Sequence, residues 1–385
     1  MPRTEPQPRA DLPLHIGIDA SRMAIHERTG TERYSYELIA ALAQINRRDT
    51  ITLYTNGLPS HLPRVGPNVR LRSIPLPRLW THARLGPAAR QDRVDLLFVP
   101  AHVVPAFHPP ACVVTLHDLG YLHFPEAHTR RRRLELDFTT RWSLRAARQI
   151  IAISHATRAD LIRHYQADPT RISVVHHGVQ PSFRPATPTT IATLRQQYAL
   201  PHPYLLYVGT IQPRKNLARL ISAFAQLCAN ADLPAELQLV LAGKPGWLTE
   251  SITTQAAQLG IAQRVRFLGY VPEPDLPALL SGALAFCFPS LYEGFGMPVL
   301  EAMACGTPVL CANTAALPEV AGDAALCVDP LDTAAISAGL RQLVDDATLR
   351  ERLRQAGIAH AAQFTWERCA RETLAVLHAA AERAG

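Results

Sequence analysis

Two glutamates, Glu293 and Glu301, stand with seven residues between them, and those residues include Gly294-Phe295-Gly296-Met297-Pro298. An apolar run from Ala283 to Phe288 precedes them, and Pro298 sits where the first residue of a helix would be. The pattern reads as a strand, a glycine-bearing loop and a helix N-terminus. Such a junction presents backbone amides and the positive end of a helix dipole to a phosphate, and its glycines let a ligand approach the main chain closely. Carboxylates repel phosphate, so Glu293 and Glu301 suit such a site only where they face neutral hydroxyls, as a sugar and a ribose provide. The plain alternative is a strand and helix of an ordinary α/β domain carrying surface glutamates.

A second group follows the apolar run Tyr204 to Val208, in Gly209-Thr210-Ile211-Gln212-Pro213-Arg214-Lys215-Asn216. Arg214 and Lys215 in such a loop can clamp two phosphates and neutralise the charge that grows on a departing diphosphate, an effect felt mainly in the transition state. Taken alone, the pair reads as surface charge ahead of a helix. His117 follows Val113 to Leu116, at the carboxyl end of a strand, where open α/β sheets place ligand contacts. It can donate a hydrogen bond or shuttle a proton, or it is a satisfied loop residue; position alone does not choose. Gly30 opens the helix pattern Glu32 to Ile45, where amides meet a phosphate or the chain makes a simple turn.

The elements that hold these groups alternate along the chain. Apolar runs at Leu14 to Asp19, Ile51 to Tyr54, Val69 to Ile74, Leu96 to Val99, Val113 to Leu116, Ile150 to Ser154 and Ile172 to Val175 predict strands of a mostly parallel sheet. Tyr204 to Val208, Leu237 to Leu241, Val265 to Val271 and Ala283 to Phe288 repeat the alternation. Pro181, Pro185, Pro188, Pro201 and Pro203 crowd a polar region around one helical segment, a composition that marks a linker. Residues 333–385 form a series of amphipathic helices, the last opened by Phe364-Thr365-Trp366. At 385 residues the chain is too long for one ordinary core and fits two domains.

Composition narrows the class. Hydrophobic residues make up 48% and charged residues 18%, which suits a globular chain and excludes a disordered one. The charge of +7 favours anionic partners such as a nucleotide phosphate or an anionic lipid surface. Two stretches carry it: Pro75 to Arg93, where Leu76, Leu79, Trp80 and Leu85 alternate with Arg78, Arg84, Arg90 and Arg93, and the run Arg130 to Arg133. Each reads as a solvated face or as a surface near a membrane or an acidic acceptor. No aromatic-basic motif, zinc finger or recognition helix accompanies them, so no nucleic acid is expected. The seven cysteines lack CxxC spacing and read as buried free thiols; His176 and His177 form no ligand set, and no metal is expected. Without an apolar segment of signal-peptide or spanning length, the expected place is the cytoplasm, or the inner face of a membrane as a peripheral protein.

The run Glu293 to Glu301, continued by Ala302-Met303-Ala304-Cys305-Gly306-Thr307-Pro308-Val309 and Leu317-Pro318-Glu319-Val320-Ala321-Gly322-Asp323-Ala324-Ala325, resembles the donor-site signature of retaining glycosyltransferases of the family 4 type. Upstream motifs carry the resemblance over nearly the whole chain. It implies the GT-B fold: α/β, two Rossmann-like domains facing each other across a cleft. The acceptor-side domain would be 1–183, completed by a final helix of 366–385 that crosses back, and the donor domain 184–365. It also implies roles. Glu301 would take the ribose hydroxyls, Glu293 the hydroxyls of the transferred sugar, and the amides around Gly294, Phe295, Gly296 and Met297 the sugar and phosphate. Gly30 would lie against the diphosphate and His117 near the transferred sugar. Gly209, Lys244 of Gly243-Lys244-Pro245-Gly246, Tyr270 and Val271 would surround the nucleotide. Many relatives have an arginine directly after the strand glycine, where this chain has Thr210, which leaves open how Arg214 and Lys215 divide the clamp. The expected activity is retaining transfer of a hexose-type sugar from a UDP or GDP donor to a glycan or lipid-linked acceptor in cell-surface polysaccharide or glycolipid synthesis, without a required cofactor. A sugar-nucleotide epimerase or hydrolase on the same fold, and a non-catalytic sugar-nucleotide-binding scaffold, are the alternatives.

Overall fold

The computed structural model describes residues 12–24, 30–57, 63–76, 80–101, 103–229, 236–246 and 250–382. Arg78 and Leu79 of the first basic stretch, and most of the polar leader, lie outside the described residues. The chain forms two compact units, one of Met1–Gly178 with Trp366–Gly385, the other of Val179–Thr365.

The first unit is built on seven parallel strands: β1 (His15–Asp19), β2 (Thr50–Thr55), β3 (Val69–Ser73), β4 (Leu96–Val99), β5 (Cys112–Leu116), β6 (Gln149–Ala152) and β7 (Ile172–Val174). Their order is β3-β2-β1-β4-β5-β6-β7, so the winding reverses between β1 and β4. Leu96, Leu97, Phe98 and Val99 are all fully buried, as expected for a strand covered on both faces, where the apolar pattern runs on instead of alternating. The last helix, Trp366–Glu382, packs on helix Gly30–Ile45 and on β4, β5 and β6. It buries Trp366, Cys369, Ala370, Thr373, Leu377 and Ala380, one stripe at helical spacing.

Among its described residues, the first basic stretch turns Leu76, Trp80 and Leu85 inward. Trp80 is buried and its Nε1 donates to the carbonyl of Ile74 at 2.7 Å, while Leu85 sits in the same core cluster as Val104 and Leu119. These side chains are core, so they form no membrane-facing surface. The second basic stretch differs. Helix Arg130–Ala146, capped by Thr129 Oγ1 accepting from the amide of Arg132, leaves Leu134 72% and Phe138 69% exposed.

The second unit holds six parallel strands, β8 (Tyr204–Val208), β9 (Gln238–Ala242), β10 (Val265–Gly269), β11 (Ala285–Phe288), β12 (Val309–Ala312) and β13 (Leu326–Val328), ordered β10-β9-β8-β11-β12-β13. The winding reverses between β8 and β11. β12 and β13 are short and lie inside a motif stretch that gave no separate strand signal. The helical segment expected in the proline-rich region is present and packed. Pro188 opens helix Pro188–Gln197, capped by Thr187, and this helix packs on helix Leu276–Ser281, buries Leu194, and sends Arg195 Nη2 to the carbonyl of Gly282 at 2.9 Å.

All seven cysteines are free thiols. Cys327 is exposed rather than buried, and it faces Cys311 directly across β12 and β13 with the sulfurs 3.7 Å apart. Among the described residues, no helix is long and apolar enough to cross a membrane.

Candidate functional site

The loops after β8 and β11 leave the second sheet on either side of its reversal, where neighbouring loops diverge and open α/β sheets receive ligands. Hydrogen bonds zip the two loops together. The amide of Leu291 donates to the carbonyl of Arg214 at 2.9 Å, and Arg214 Nη1 donates to the carbonyl of Tyr292 at 2.9 Å. Asn216 ends the short turn Pro213–Lys215 in the left-handed conformation, at φ 60°, and starts helix Leu217–Cys228. Its Nδ2 donates to the carbonyls of Pro289 at 3.1 Å and Pro330 at 2.6 Å, which fixes the basic turn against both following loops. The motif named this residue without assigning it a task. Its signal was chemical type, since asparagine tolerates left-handed backbone better than most residues.

This frame brings three of the expected residues into contact. Lys215 Nζ donates to Glu293 Oε1 at 2.5 Å, and Arg214 Nη1 lies 3.7 Å from Glu293 Oε2. Glu293 and Lys215 are both buried, and the ammonium sits 5.2 Å over the ring of Phe288. Burial pushes the Glu293 carboxyl up, but the Lys215 and Arg214 charges and the Lys215 hydrogen bond outweigh it and hold it below the usual carboxylate range. Glu293 is therefore an anion at neutral pH. Tyr207, which sequence reading left without a role, lies beneath the loop; its hydroxyl donates to the carbonyl of Thr210 at 3.1 Å, and burial and then the Glu293 charge push its pKa well up.

The glycine loop follows. Helix Met297–Ala304 begins one residue before Pro298, with Gly296 as its cap at φ 103°. A Cβ on Gly296 would fall 2.6 Å from Leu317 Cδ2, so glycine is required both by conformation and by the packing of Leu317. Phe295 is buried, its ring 6.3 Å from Phe364. Glu301 is buried in the second turn of the helix; burial and then its charge push the neighbouring Cys305 thiol up to about 12. The segment after β12 closes behind the loop, with Thr314 Oγ1 donating to the carbonyl of Leu291 at 3.3 Å and the amide of Ala316 donating to that of Glu293 at 3.4 Å.

The remaining second-unit residues gather at the carboxyl ends of β8, β9 and β10. The amide of Gly209 donates to the carbonyl of Ala242, that of Ile211 to Lys244 and that of Gly243 to Gly269, at 2.9, 3.0 and 2.7 Å. Gly243 has φ 152°, and a Cβ there would lie 1.9 Å from the carbonyl oxygen of Gly209. Lys244 Nζ stands 4.8 Å over the ring of Tyr270, which is exposed, while Val271 is buried.

Two expected residues lie in the first unit. Gly30 is the exposed first residue of its helix, and a Cβ there would meet open space; residues 25–29 before it are outside the described residues. His117 follows β5, and its Nε2 donates to the carbonyl of Pro100, just beyond β4, at 2.8 Å. Behind it is a cluster that sequence reading missed. Tyr34 meets His117 edge-on at 4.8 Å and His177 at 4.6 Å, and His177 stacks on Trp366 at 5.9 Å. Burial, then the neighbouring His117 and His176, push the His177 pKa well below its ordinary value, so its ring is neutral. Nothing in the local sequence around Tyr34 or Trp366 pointed to this meeting.

Comparison with known proteins places this geometry. Residues 191–360 match the family model described as glycosyl transferases group 1, and residues 28–183 match the model described as glycosyltransferase family 4. The chain is 33% identical over 364 residues to the O-antigen chain mannosyltransferase B of Escherichia coli, covering 90% of this chain and 95% of that one. In fold it is similar to a sucrose-phosphate synthase from Thermosynechococcus elongatus, at TM-score 0.73 and 22% identity over 94% of this chain and 98% of that one. It is likewise similar to Anabaena HepE solved with UDP and glucose, at TM-score 0.72 and 20% identity over 95% and 100%. With two parallel Rossmann-like sheets, both family models and a relative aligned nearly end to end, the chain belongs to glycosyltransferase family 4 and has the GT-B fold.

Proposed function

We propose that this glycosyltransferase is a retaining hexosyltransferase that moves mannose from a GDP or UDP donor to a glycan or lipid-linked acceptor in surface polysaccharide assembly. The sugar and the setting are taken from the O-antigen mannosyltransferase it is similar to. The observation that carries the reading is the buried contact of Arg214 and Lys215 with Glu293 at the reversal of the donor-side sheet. Two cations against one carboxylate leave a net positive charge, which suits a diphosphate.

In this reading the main-chain amides around Gly294 to Met297 and the start of helix Met297–Ala304 hold the phosphates and the sugar. Glu301 takes the ribose hydroxyls, Glu293 takes sugar hydroxyls, and the base lies by Lys244, Tyr270 and Val271 with Gly209 beneath. The bond from the anomeric carbon to the diphosphate oxygen breaks as the acceptor oxygen bonds to the same face. The acceptor proton passes to the departing oxygen, whose growing charge Arg214 and Lys215 stabilise. No protein nucleophile is needed, and Glu293, held by two cations, is suited to orientation. Charge stabilisation falls to the two cations, with no metal assigned to the transfer. Arg130 to Arg133 with exposed Leu134 and Phe138 would hold the protein against the anionic inner face of a membrane that carries the acceptor.

Incubation with GDP-mannose and a mannose-terminated acceptor, with the new linkage read by NMR, tests this reading. It requires an α-linked product from the α-configured donor. A β-linked product would overturn retention, and free mannose released without acceptor would favour the hydrolase.

A further inference from the structure

Helix Gly120–His123 follows His117 and is set by Asp118 Oδ1 accepting the amide of Gly120 at 2.9 Å. It ends against helix His155–Tyr165. There His123 Nε2 lies 2.9 Å from Asp160 Oδ2, and His164 Nε2 lies 3.9 Å from Asp160 Oδ1. One ligand atom from each of the three residues falls within 4.8 Å of the other two, and the imidazole rings stand 5.7 Å apart at 89°. Asp160 and His164 are one turn apart and so share a helix face.

The geometry points to a divalent transition-metal site, of the zinc class, formed by His123, Asp160 and His164. Ligands about 2.1 Å from a tetrahedral ion stand about 3.4 Å from one another; one ligand atom from each of the three residues already lies within 4.8 Å of the others, so side-chain rotations must close the set by about 1.4 Å at most. Two imidazoles and one carboxylate select zinc, cobalt, nickel or copper over magnesium or calcium. Three protein ligands leave a fourth position to water. Side-chain exposures of 33%, 16% and 34% leave the ion a path from solvent and keep the carboxylate mostly covered. The scaffold is already fixed from its other side, where the Tyr121 and Tyr165 hydroxyls meet at 2.5 Å and that of Tyr165 donates to Asp137 Oδ1 at 2.9 Å. The ion would clip the segment that carries His117 to helix His155–Tyr165, and it takes no part in the transfer step proposed above. Sequence gave no sign of it, because His123 and Asp160 are 37 positions apart.

The test uses the full chain, stripped with a chelator and carrying Cys327→Ser so that the Cys311–Cys327 thiols do not compete. Zn2+ is titrated by calorimetry and Co2+ by visible absorption. One equivalent should bind, with cobalt ligand-field bands and no thiolate charge-transfer band, and His164→Ala and Asp160→Asn should each weaken binding at least tenfold. Metal-free His164→Ala, altered at a partly exposed side chain, should melt with its parent, which separates loss of a ligand from loss of fold. Binding of equal strength in the variants, or no stoichiometric binding in folded protein, would overturn the site.

Discussion

Lys215 and Glu293 are 78 positions apart in sequence and meet through a buried 2.5 Å contact between Nζ and Oε1, with Arg214 Nη1 3.7 Å from the second carboxylate oxygen. Each residue satisfies the other's charge, so in the role proposed for them the pair ties folding to function. Lys215→Met leaves Glu293 with only the more distant cation and should lower both the melting temperature and kcat/KM, the latter by about 10²- to 10³-fold. Adding Glu293→Gln removes the orphaned charge. The double variant should regain stability in thermal melts and regain no turnover. Recovery of both would reduce the lysine to a structural role.

The His177 ring gives stability a defined acid limb. Its pKa is held well below the ordinary 6.5 by burial and then by His117 and His176, so on acidification the unfolded chain takes a proton that the folded chain refuses. Its contribution to stability is complete above about pH 6.5 and is lost as pH falls below it, by about 1.4 kcal/mol per pH unit. His177→Phe keeps an aromatic ring beside Trp366 and should flatten this limb by one proton in urea melts at pH 7.5, 6.5 and 5.5. Equal slopes in the two proteins would contradict the assignment.

Gly243 and Gly260 separate clash from backbone strain. Both have positive φ, but a Cβ on Gly260 meets open space whereas one on Gly243 strikes the carbonyl of Gly209. Gly260→Ala should cost about 1 kcal/mol and Gly243→Ala about 3 kcal/mol or more in chemical denaturation. Similar costs would mean that the two loops yield readily.

Exposed Leu134 and Phe138, one turn apart beside four arginines, make a compact membrane-contact candidate. Leu134→Ser with Phe138→Ser should abolish co-sedimentation with anionic vesicles and leave the melting temperature unchanged, since neither side chain is packed. Unchanged vesicle binding would place the contact elsewhere.

The parallel-sheet alternation was legible because strands covered on both faces read as unbroken apolar runs, as Leu96 to Val99 and Tyr204 to Val208 do. β12 and β13 were hidden in part because each is only three or four residues long. The strand, glycine loop and helix start around Glu293 and Glu301 were legible because Gly296, Pro298 and the two glutamates lie within one short stretch. Their supports were not. Asn216 reaches carbonyls 73 and 114 positions away, and Tyr34 reaches His177 and Trp366 through tertiary packing that no local pattern records. The proline-rich region showed its helical segment in sequence but not what that segment packs on. Proline marks a helix start as readily as a linker, and Pro188 begins a packed helix.

Direct titration of GDP and UDP by calorimetry into wild type, Lys215→Met with Glu293→Gln, and Glu301→Ala tests the central claim most directly. One nucleotide should bind the wild type at a single site, with at least tenfold loss in each variant and a folded baseline in all three. Nucleotide binding that ignores both sets of substitutions, or no binding to folded wild type, would contradict the assignment of the loops after β8 and β11 to the donor.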